Sequence, residues 1–331
     1  MSSTASTAPT PAAAPSAPCS PCPPPGRPSW ARHCALLAQQ KSPSWQRCVA
    51  SYNLDPAQGW QADVLSGAEL RHVSTRSASL LRIAMPEMQR LFSLVQGLDF
   101  MVLLADPDAT ILARNIDEAH MGLCRRLALR EGAVWSERMA GTNGIGTAVQ
   151  DGCPIFLGEG EHWRFCFSLL ASYAVPVFNA HGQVAGAINL AAFNGDTSRR
   201  LAPLVLDTLL QSGRRIEEQL FREYHEGARV LTLGLAEGCS APLVAINAEG
   251  EVTGATHAAR SLTGWTDDMI RTHPNLLHRL EVEDRVSFRK AEENVIRSAL
   301  ALAHGNVTAT ARHLGIGRAT LYRKMKALGM R

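Results

Sequence analysis

The apolar residues in the central part of the chain switch between helical and strand-like spacing. Residues 80–95 repeat apolar side chains at helical spacing, and the next segment, DFMVLLAD, is a continuous apolar run that predicts a buried strand. A polar PDAT turn leads into a second strand, ILARN. An arginine-rich helix near 117–130 and a small-residue helix at 142–149 precede three further predicted strands, PIFLG, ASYAVPVF and GQVAGAINLA. These elements predict an antiparallel sheet flanked by helices, which can enclose a small-molecule cavity.

A second apolar stripe follows the predicted sheet. Residues 198–226 repeat leucine, valine and isoleucine at nearly heptad spacing, and Pro203 falls in the first turn of the predicted helix, where proline is tolerated. Two interpretations remain open, a terminal helix packed on the sheet and a connector that forms a dimer, and the two are compatible. Beyond it, APLVAINAEGEVTGATHAARSLTGW predicts strand, turn, strand and helix, and resembles the start of a PAS domain. The segment is short, so a partial PAS-like fold is expected.

Three short helices are predicted at the C-terminal end of the sequence. Apolar residues recur at helical spacing over 295–302, and Asn306 is a favourable N-cap for a second helix running to about residue 313. Gly315 can adopt the positive φ of a tight turn. Arg318 then opens a third helix with leucine and methionine on one stripe.

Charge separates this terminal segment from the rest of the chain. From residue 289 onward, nine Lys or Arg stand against two Glu, a formal charge of 9 − 2 = +7, so the preceding residues sum to −4 within an overall charge of +3. No acidic residue follows Glu293. A basic module with periodic apolar residues is typical of a polyanion-binding domain, whereas a solvated basic tail lacks that periodicity.

The motif GNVTATARHLGIGRATLYRKMKALG resembles the Fis-type helix-turn-helix found at the end of many bacterial enhancer-binding activators. The resemblance implies that double-stranded DNA is bound at inverted repeats by a homodimer. It places Arg318 at a base edge, and Arg323 with Lys324 at phosphates or the groove wall. The residues assigned to DNA binding are Asn306, Thr308, Arg318, Thr320, Tyr322, Arg323, Lys324 and Lys326.

Three central motifs resemble the sensor half of acetoin-catabolism-type regulators, which have an N-terminal GAF domain. The motifs are SWQRCVASYNLDP, WSERMAGTNGIGTAVQDGCPIFLGEGEHW and VPVFNAHGQVAGAINL. The similarity runs from about residue 44 to residue 193 and implies a pocket for a small-molecule effector. The residues expected at this pocket are Trp135, Glu137, Thr142, Asn143, Cys153, His162, Ser172 and Tyr173. His162 is placed on the pocket rim, and a structural role for it stays open.

One stretch departs from that sensor family. Where its members usually read Leu-Thr-Cys-Ser-Ala-Ala-Pro-Ile, this chain has Ser172 in place of the cysteine and Tyr173 in place of the small serine. Tyr173 adds volume either to the pocket or to the opposite face of the sheet. The identity of the sensor family's effector therefore does not transfer to this chain. The glycines of AGTNGIGTA partly match a dinucleotide-binding fingerprint, but no strand leads directly into them, which favours a packing role.

Composition and cysteine placement narrow the class of protein. With 331 residues, 46% of them hydrophobic, the chain can form two or three packed domains. No apolar run is long enough to cross a bilayer and no signal peptide is recognisable, so a cytoplasmic location is expected. Cys19 and Cys22 form a CxxC without a second pair at metal spacing, which favours incidental thiols over a metal site. A redox role for Cys153 and Cys166 beside the expected pocket stays open.

Catalytic signatures are missing from the sequence. Activators with this sensor and this DNA-binding module normally carry an ATP-hydrolysing AAA+ motor, which remodels the sigma-54 polymerase and needs a GxxxxGK[ST] loop. None of the four lysines follows a glycine, and neither GxSxG nor HExxH occurs. We expect a non-enzymatic DNA-binding regulator without ATPase activity or cofactor, which responds to a small molecule or to a partner such as RNA polymerase. The alternative is an adaptor that heteromerises with a motor-bearing homologous activator and modulates it.

The expected fold class is a multidomain α+β protein. A GAF-like antiparallel sheet with flanking helices is followed by a short PAS-like α+β segment and an all-α Fis-type helix-turn-helix. The expected segments are a disordered Pro/Ala/Ser-rich arm (1–29), a sensor domain with a helical lead-in (30–195), a connector or dimerisation helix (196–228), a partial PAS-like segment (229–284) and the helix-turn-helix (285–331).

Overall fold

The part of the chain that the structure describes contains two α/β units and a C-terminal helical unit. The computed structural model describes residues 43–193, 195–235, 238–272, 275–276, 296, 299–300, 303 and 306–328, without the side chains of 195–199. The predicted arm, the Cys19–Cys22 pair and most of the first predicted C-terminal helix lie outside the described residues. Within the described part, no helix is both long enough and apolar enough to span a membrane.

The first unit is a five-stranded antiparallel sheet between two layers of helices. Its strands are β1 (Phe100–Ala105), β2 (Ile111–Asn115), β3 (Ile155–Leu157), β4 (Ala171–Phe178) and β5 (Val184–Ala192), in the order β2-β1-β5-β4-β3. Its helices are α1 (residues 43–50), α2 (Gly67–Arg76), α3 (Ala78–Val95), α4 (Met121–Leu127), α5 (Glu137–Ala140), α6 (Gly144–Asp151) and α7 (Gly195–Tyr224). The five predicted strands are therefore confirmed.

Helices α3 and α7 cover one face of this sheet. Because side chains alternate along a strand, Tyr173 and Val175 of β4 point to this face and pack in one core with both helices. The apolar stripe of α7 is buried here, including Leu209 and Ile216, which are fully buried. The packed interpretation of this helix is therefore confirmed, and the dimer-forming role of α7 stays a prediction. The placement of Pro203 in the first turn is wrong, because α7 begins at Gly195 and Pro203 is its ninth residue.

The second unit is a small three-stranded antiparallel sheet with two short helices. Its strands are β6 (Arg229–Thr232), β7 (Leu243–Ile246) and β8 (Val252–Ala255) in that order, and its helices are α8 (His257–Thr263) and α9 (Asp267–Arg271). The predicted strand, turn, strand and helix are β7, β8 and α8. Strand β6 and helix α9, like α2 in the first unit, were not predicted from the sequence. The remainder of the proposed PAS-like segment, from residue 277 on, lies outside the described residues.

A buried carboxyl group joins the two α/β units. Glu217 of α7 is fully buried and accepts hydrogen bonds from Ser240 Oγ at 2.8 Å and from the backbone N–H of Ala241 at 3.2 Å. Burial raises the pKa of Glu217 to about 8. Beside this group, the rings of Phe178 and His257 stack with centroids 4.0 Å apart. The second unit is thus fixed to the end of α7 and to the β4–β5 hairpin.

Candidate functional site

The C-terminal unit contains the turn and the helix cap that the sequence predicts. Asn306 Oδ1 accepts hydrogen bonds from the backbone N–H groups of Thr308 at 3.1 Å and Ala309 at 3.2 Å, so it caps helix α10 (Val307–His313). Gly315 follows with φ +64°, which a residue with a side chain rarely adopts. Helix α11 (Arg318–Leu328) then begins at the predicted residue.

The two faces of α11 differ in chemistry. Leu321 and Met325 are buried in a small core with Ile296 and Ala311. The opposite face exposes four of the predicted DNA-binding residues, Arg318, Tyr322, Arg323 and Lys326, whereas Thr320 and Lys324 are half-buried. The segment 306–328 contains five Lys or Arg residues and no acidic residue. A helix that exposes a basic face and buries its apolar face against its own domain has the form that fits the DNA major groove.

Arg318 and Tyr322 form a pair on the exposed face of α11. They are four positions apart, which places both side chains on one side of a helix. The guanidinium carbon of Arg318 lies 5.7 Å from the centre of the Tyr322 ring, within the range of a cation–π contact. The Tyr322 side chain, 49% exposed, therefore restricts where the guanidinium can point. Sequence reasoning named both residues but not this contact.

The predicted sensor pocket is a small cavity between the sheet and α6. Four of the eight residues expected there do line it, namely Trp135, Asn143, His162 and Ser172. Its volume is about 10 Å³, enough for about one water molecule. Aromatic rings pack along one side, where Trp135 stacks on Phe167 at a centroid distance of 4.9 Å.

The polar groups around this cavity hydrogen-bond to one another. Asn189, which sequence reasoning missed, donates from Nδ2 to Ser172 Oγ at 2.6 Å and to the Tyr173 carbonyl at 2.9 Å. A polar residue in the otherwise apolar strand VAGAINLAA was the signal that could have identified it. Asn143 caps α6 by accepting from the N–H of Gly146 at 2.8 Å. A ligand in this cavity must therefore displace or reorient existing contacts.

Close packing explains the glycines of AGTNGIGTA. A Cβ atom on Gly144 would lie 2.0 Å from Ser172 Oγ, and one on Gly146 would lie 2.3 Å from the Trp135 carbonyl oxygen. Both positions therefore require glycine, because α6 packs directly on the sheet and on the chain before α5. The predicted packing role of these glycines is confirmed.

Glu137 and Thr142 do not line the cavity but bind helix α1. Arg47 of α1 forms a two-pronged ion pair with the buried Glu137 carboxylate at 2.6 and 2.8 Å, and also contacts Asp151 at 2.8 Å. Ser44 Oγ donates to the same Glu137 carboxylate at 2.7 Å and lies 2.7 Å from Thr142 Oγ1. The SWQRC and WSER motifs therefore meet in a buried polar network that fixes α1 to α5 and α6.

Cys153 and Tyr173 also lie apart from the cavity. Tyr173 is on the opposite face of the sheet, where it stacks on Phe156 at a centroid distance of 4.5 Å, so its placement in the pocket is corrected. The reason is the two-residue period of a strand, which separates it from its neighbour Ser172. Cys153 is buried after α6 and Cys166 is exposed, and neither thiol borders the cavity.

Comparison with known proteins agrees with both parts of this description. The profile of the bacterial regulatory protein Fis family matches residues 287–328, and that of the MimR N-terminal domain matches residues 43–218, which is 176 of 331 residues. The acetoin catabolism regulatory protein of Cupriavidus necator is 31% identical over 222 residues, which is 66% of this chain and 33% of that protein. The acetoin dehydrogenase operon transcriptional activator AcoR of Bacillus subtilis is 29% identical over 157 residues, 47% of this chain and 26% of that protein. The chain thus spans about a third or less of the length of these curated relatives.

A solved structure shares the fold of the sensor part. The crystal structure of the Escherichia coli DhaR(N)–DhaL complex superposes with a TM-score of 0.52 and 16% sequence identity, covering 69% of this chain and 77% of that chain. Together with the five-stranded sheet, this likeness confirms the predicted GAF-like fold. The chain therefore belongs to the family defined by the MimR N-terminal domain, carries a Fis-type helix-turn-helix, and has acetoin-type transcriptional activators among its homologues.

Proposed function

We propose that the protein is a transcriptional regulator that binds operator DNA as a homodimer through α11 and responds to a small effector or a partner through its GAF-like unit. The observation that carries the proposal is the exposed basic face of α11, whose apolar side is buried in its own core. Positive charge on one short module favours phosphate binding, and a helix of this form fits the major groove. We propose that regulation proceeds without ATP hydrolysis, since no lysine in the sequence follows a glycine.

The proposed DNA contacts divide into two kinds. Arg318, at the start of α11 and exposed, is assigned to a base edge, where a guanidinium can bond both major-groove acceptors of guanine. Arg323 and Lys326, which are exposed, and the half-buried Lys324 are assigned to phosphates, together with Thr308 at the start of α10 and with Asn306 and Thr320. Base contacts choose the sequence and phosphate contacts fix the position of the protein.

Effector binding is proposed to couple to rearrangement of the sensor cavity. Its volume of about 10 Å³ is too small for a metabolite, so a ligand that enters must separate α6 from the sheet or move the Ser172–Asn189 pair. Such a ligand favours the opened arrangement and shifts the population towards it. Two relatives take their names from acetoin, so small carbonyl and alcohol compounds are the first effectors to test in a thermal-shift assay.

DNA binding is tested by measuring the affinity of the purified protein for its native upstream fragment at several salt concentrations. Arg318→Ala should weaken specific binding by about 1–3 kcal/mol and relax sequence choice, whereas Arg323→Ala should weaken all sequences alike and lower the salt slope by about one unit. Arg229→Ala, an exposed arginine on β6, serves as the matched control and should change neither quantity. No saturable, salt-sensitive complex with any native fragment would refute the proposal.

A second candidate function is that of an adaptor which heteromerises with a motor-bearing homologous activator. It is favoured by the exposed apolar side chains of Phe165 and Leu169, 68% and 63% exposed, on the segment that covers the sensor cavity. The solved relative DhaR(N) was crystallised with a second protein, DhaL. Size measurement of the protein alone, with and without operator DNA, separates the two functions. A stable homodimer that binds DNA specifically contradicts the adaptor.

A further inference from the structure

A second and much larger cavity lies at the far end of the sheet from the sensor cavity. It is bounded by the α2–α3 junction, the β1–β2 turn, the β4–β5 hairpin and one side chain of α7. Its volume of about 350 Å³ falls within the range of about 300–1,000 Å³ typical of ligand pockets. The sensor cavity, at about 10 Å³, is far below that range. This end cavity, which is open to solvent at Arg76, Ser79 and Asp108, therefore has the volume of a metabolite site.

Two side chains of opposite charge line this cavity, and neither forms an ion pair with another residue in the described part of the chain. Arg76, in the last turn of α2, and Asp108, in the β1–β2 turn, both line it and are exposed. Asp106 in the same turn is buried, and its Oδ1 accepts from the N–H groups of Asp108 at 3.0 Å and Thr110 at 2.7 Å. That double acceptance fixes the turn, which holds the Asp108 position at the cavity.

The remaining lining is apolar on one side and amide-bearing on the other. Val73, Leu80, Val184 and Leu220 supply aliphatic surface, and Asn179 and Gln183 carry amide groups that bond to each other within the hairpin turn. In one cavity, a guanidinium can bind a carboxylate and a carboxylate can bind an ammonium group, while the aliphatic surface packs against a short aliphatic part. The cavity therefore complements a small molecule that carries all three groups. That description is met by an aliphatic amino acid.

The cavity shares its walls with the joint between the two α/β units. The β4–β5 hairpin forms one wall, and on its outer side the Gly182 carbonyl oxygen lies 3.2 Å from His257 Nδ1 of α8. Leu220, on another wall, lies one helical turn beyond Glu217, which bonds to the second unit. A ligand in the cavity touches both elements that hold the second unit in place.

We propose that this cavity is a second ligand site of the protein, specific for a small zwitterion of the aliphatic amino-acid class, and that its occupancy stabilises the joint between the two α/β units. The site is separate from the sensor cavity and from α11. Its test contains no DNA, so its failure would leave the proposed DNA-binding function untouched.

The test is calorimetric titration of the full-length protein with L-leucine, and with isopentylamine and 4-methylpentanoate, which lack its carboxylate and its ammonium group respectively. L-leucine should bind saturably. Each analogue should bind at least about tenfold more weakly, which is the effect of losing one charge-assisted hydrogen bond. L-alanine, L-valine and L-isoleucine are titrated in the same way, with L-glutamate and L-lysine for comparison. Failure of all four aliphatic amino acids to bind would overturn the proposal, as would equal binding of L-leucine and its analogues.

Three variants place the binding in this cavity. Arg76→Gln and Asp108→Asn should each weaken binding of the amino acid about tenfold, and Ser79→Trp, at an exposed position of α3 that lines the cavity, should abolish it. Arg71→Gln, an exposed arginine on the same helix outside the cavity, is the control and should bind as the wild type does. Unchanged binding in the first three variants would place the ligand elsewhere and refute the assignment.

Discussion

Replacing Arg47 tests whether the network between α1 and α5 stabilises the sensor unit. The Glu137 side chain is 1% exposed and its carboxylate receives two hydrogen bonds from Arg47, at 2.6 and 2.8 Å. Arg47→Met leaves that carboxylate buried, with Ser44 Oγ still donating to it. Breaking a buried pair from one side costs about 3–5 kcal/mol. For a unit of 150–250 residues this corresponds to a fall in melting temperature of roughly 6–20 °C.

Arg82→Met is the matched control. Arg82 pairs with Glu223 across α3 and α7, but both side chains are about half exposed, at 57% and 43%, and solvent screening makes such a pair contribute little to stability. Thermal unfolding followed by the fluorescence of buried tryptophans compares the two variants. Adding Glu137→Gln to Arg47→Met removes the uncompensated charge at position 137 and should recover part of the loss, because Asp151 still lacks its arginine partner. Equal melting temperatures for the Arg47 and Arg82 variants would refute the reasoning.

Three further predictions concern other parts of the chain. Burial raises the pKa of Glu217 to about 8 from an ordinary 4.5. Between these two pH values the folded state keeps a proton that the unfolded state has lost, so stability falls as pH rises from 4.5 to about 8. Thermal melts from pH 5 to 9 should therefore show the wild type falling relative to Glu217→Gln, and parallel curves would contradict this. Gly144→Ala should lower stability by about 1–3 kcal/mol through its clash with Ser172 Oγ, and Ser172→Gly in the same chain should restore part of the melting temperature. Tyr322→Leu should reduce discrimination between operator and mismatched DNA. If the tyrosine acts through the arginine, the double variant Tyr322→Leu/Arg318→Ala should show the same discrimination as Arg318→Ala alone.

The sequence determined the features that depend on neighbours along the chain. The Asn306 cap, the Gly315 turn and the start of α11 follow from backbone hydrogen bonding and steric limits within a few residues. The five strands of the first sheet follow from runs of apolar residues between turn signals. Helix α2 and strand β6 were missed because α2 buries no residue and β6 is partly exposed at every position, so neither has a strong apolar pattern.

Only the tertiary structure decided which residues meet. Glu137 pairs with Arg47, 90 positions away, and Asn189 reaches Ser172 because β4 and β5 are adjacent in the sheet. Tyr173 could be placed only after α3 and α7 were known to cover its face of the sheet. The same packing buries the apolar stripe of α7, and the packing of α6 on the other face of the sheet leaves a sensor cavity of only about 10 Å³. Local patterns fix the elements, because their hydrogen bonds and turns are short-range, whereas long-range packing determines which side chains become buried partners and which cavities remain.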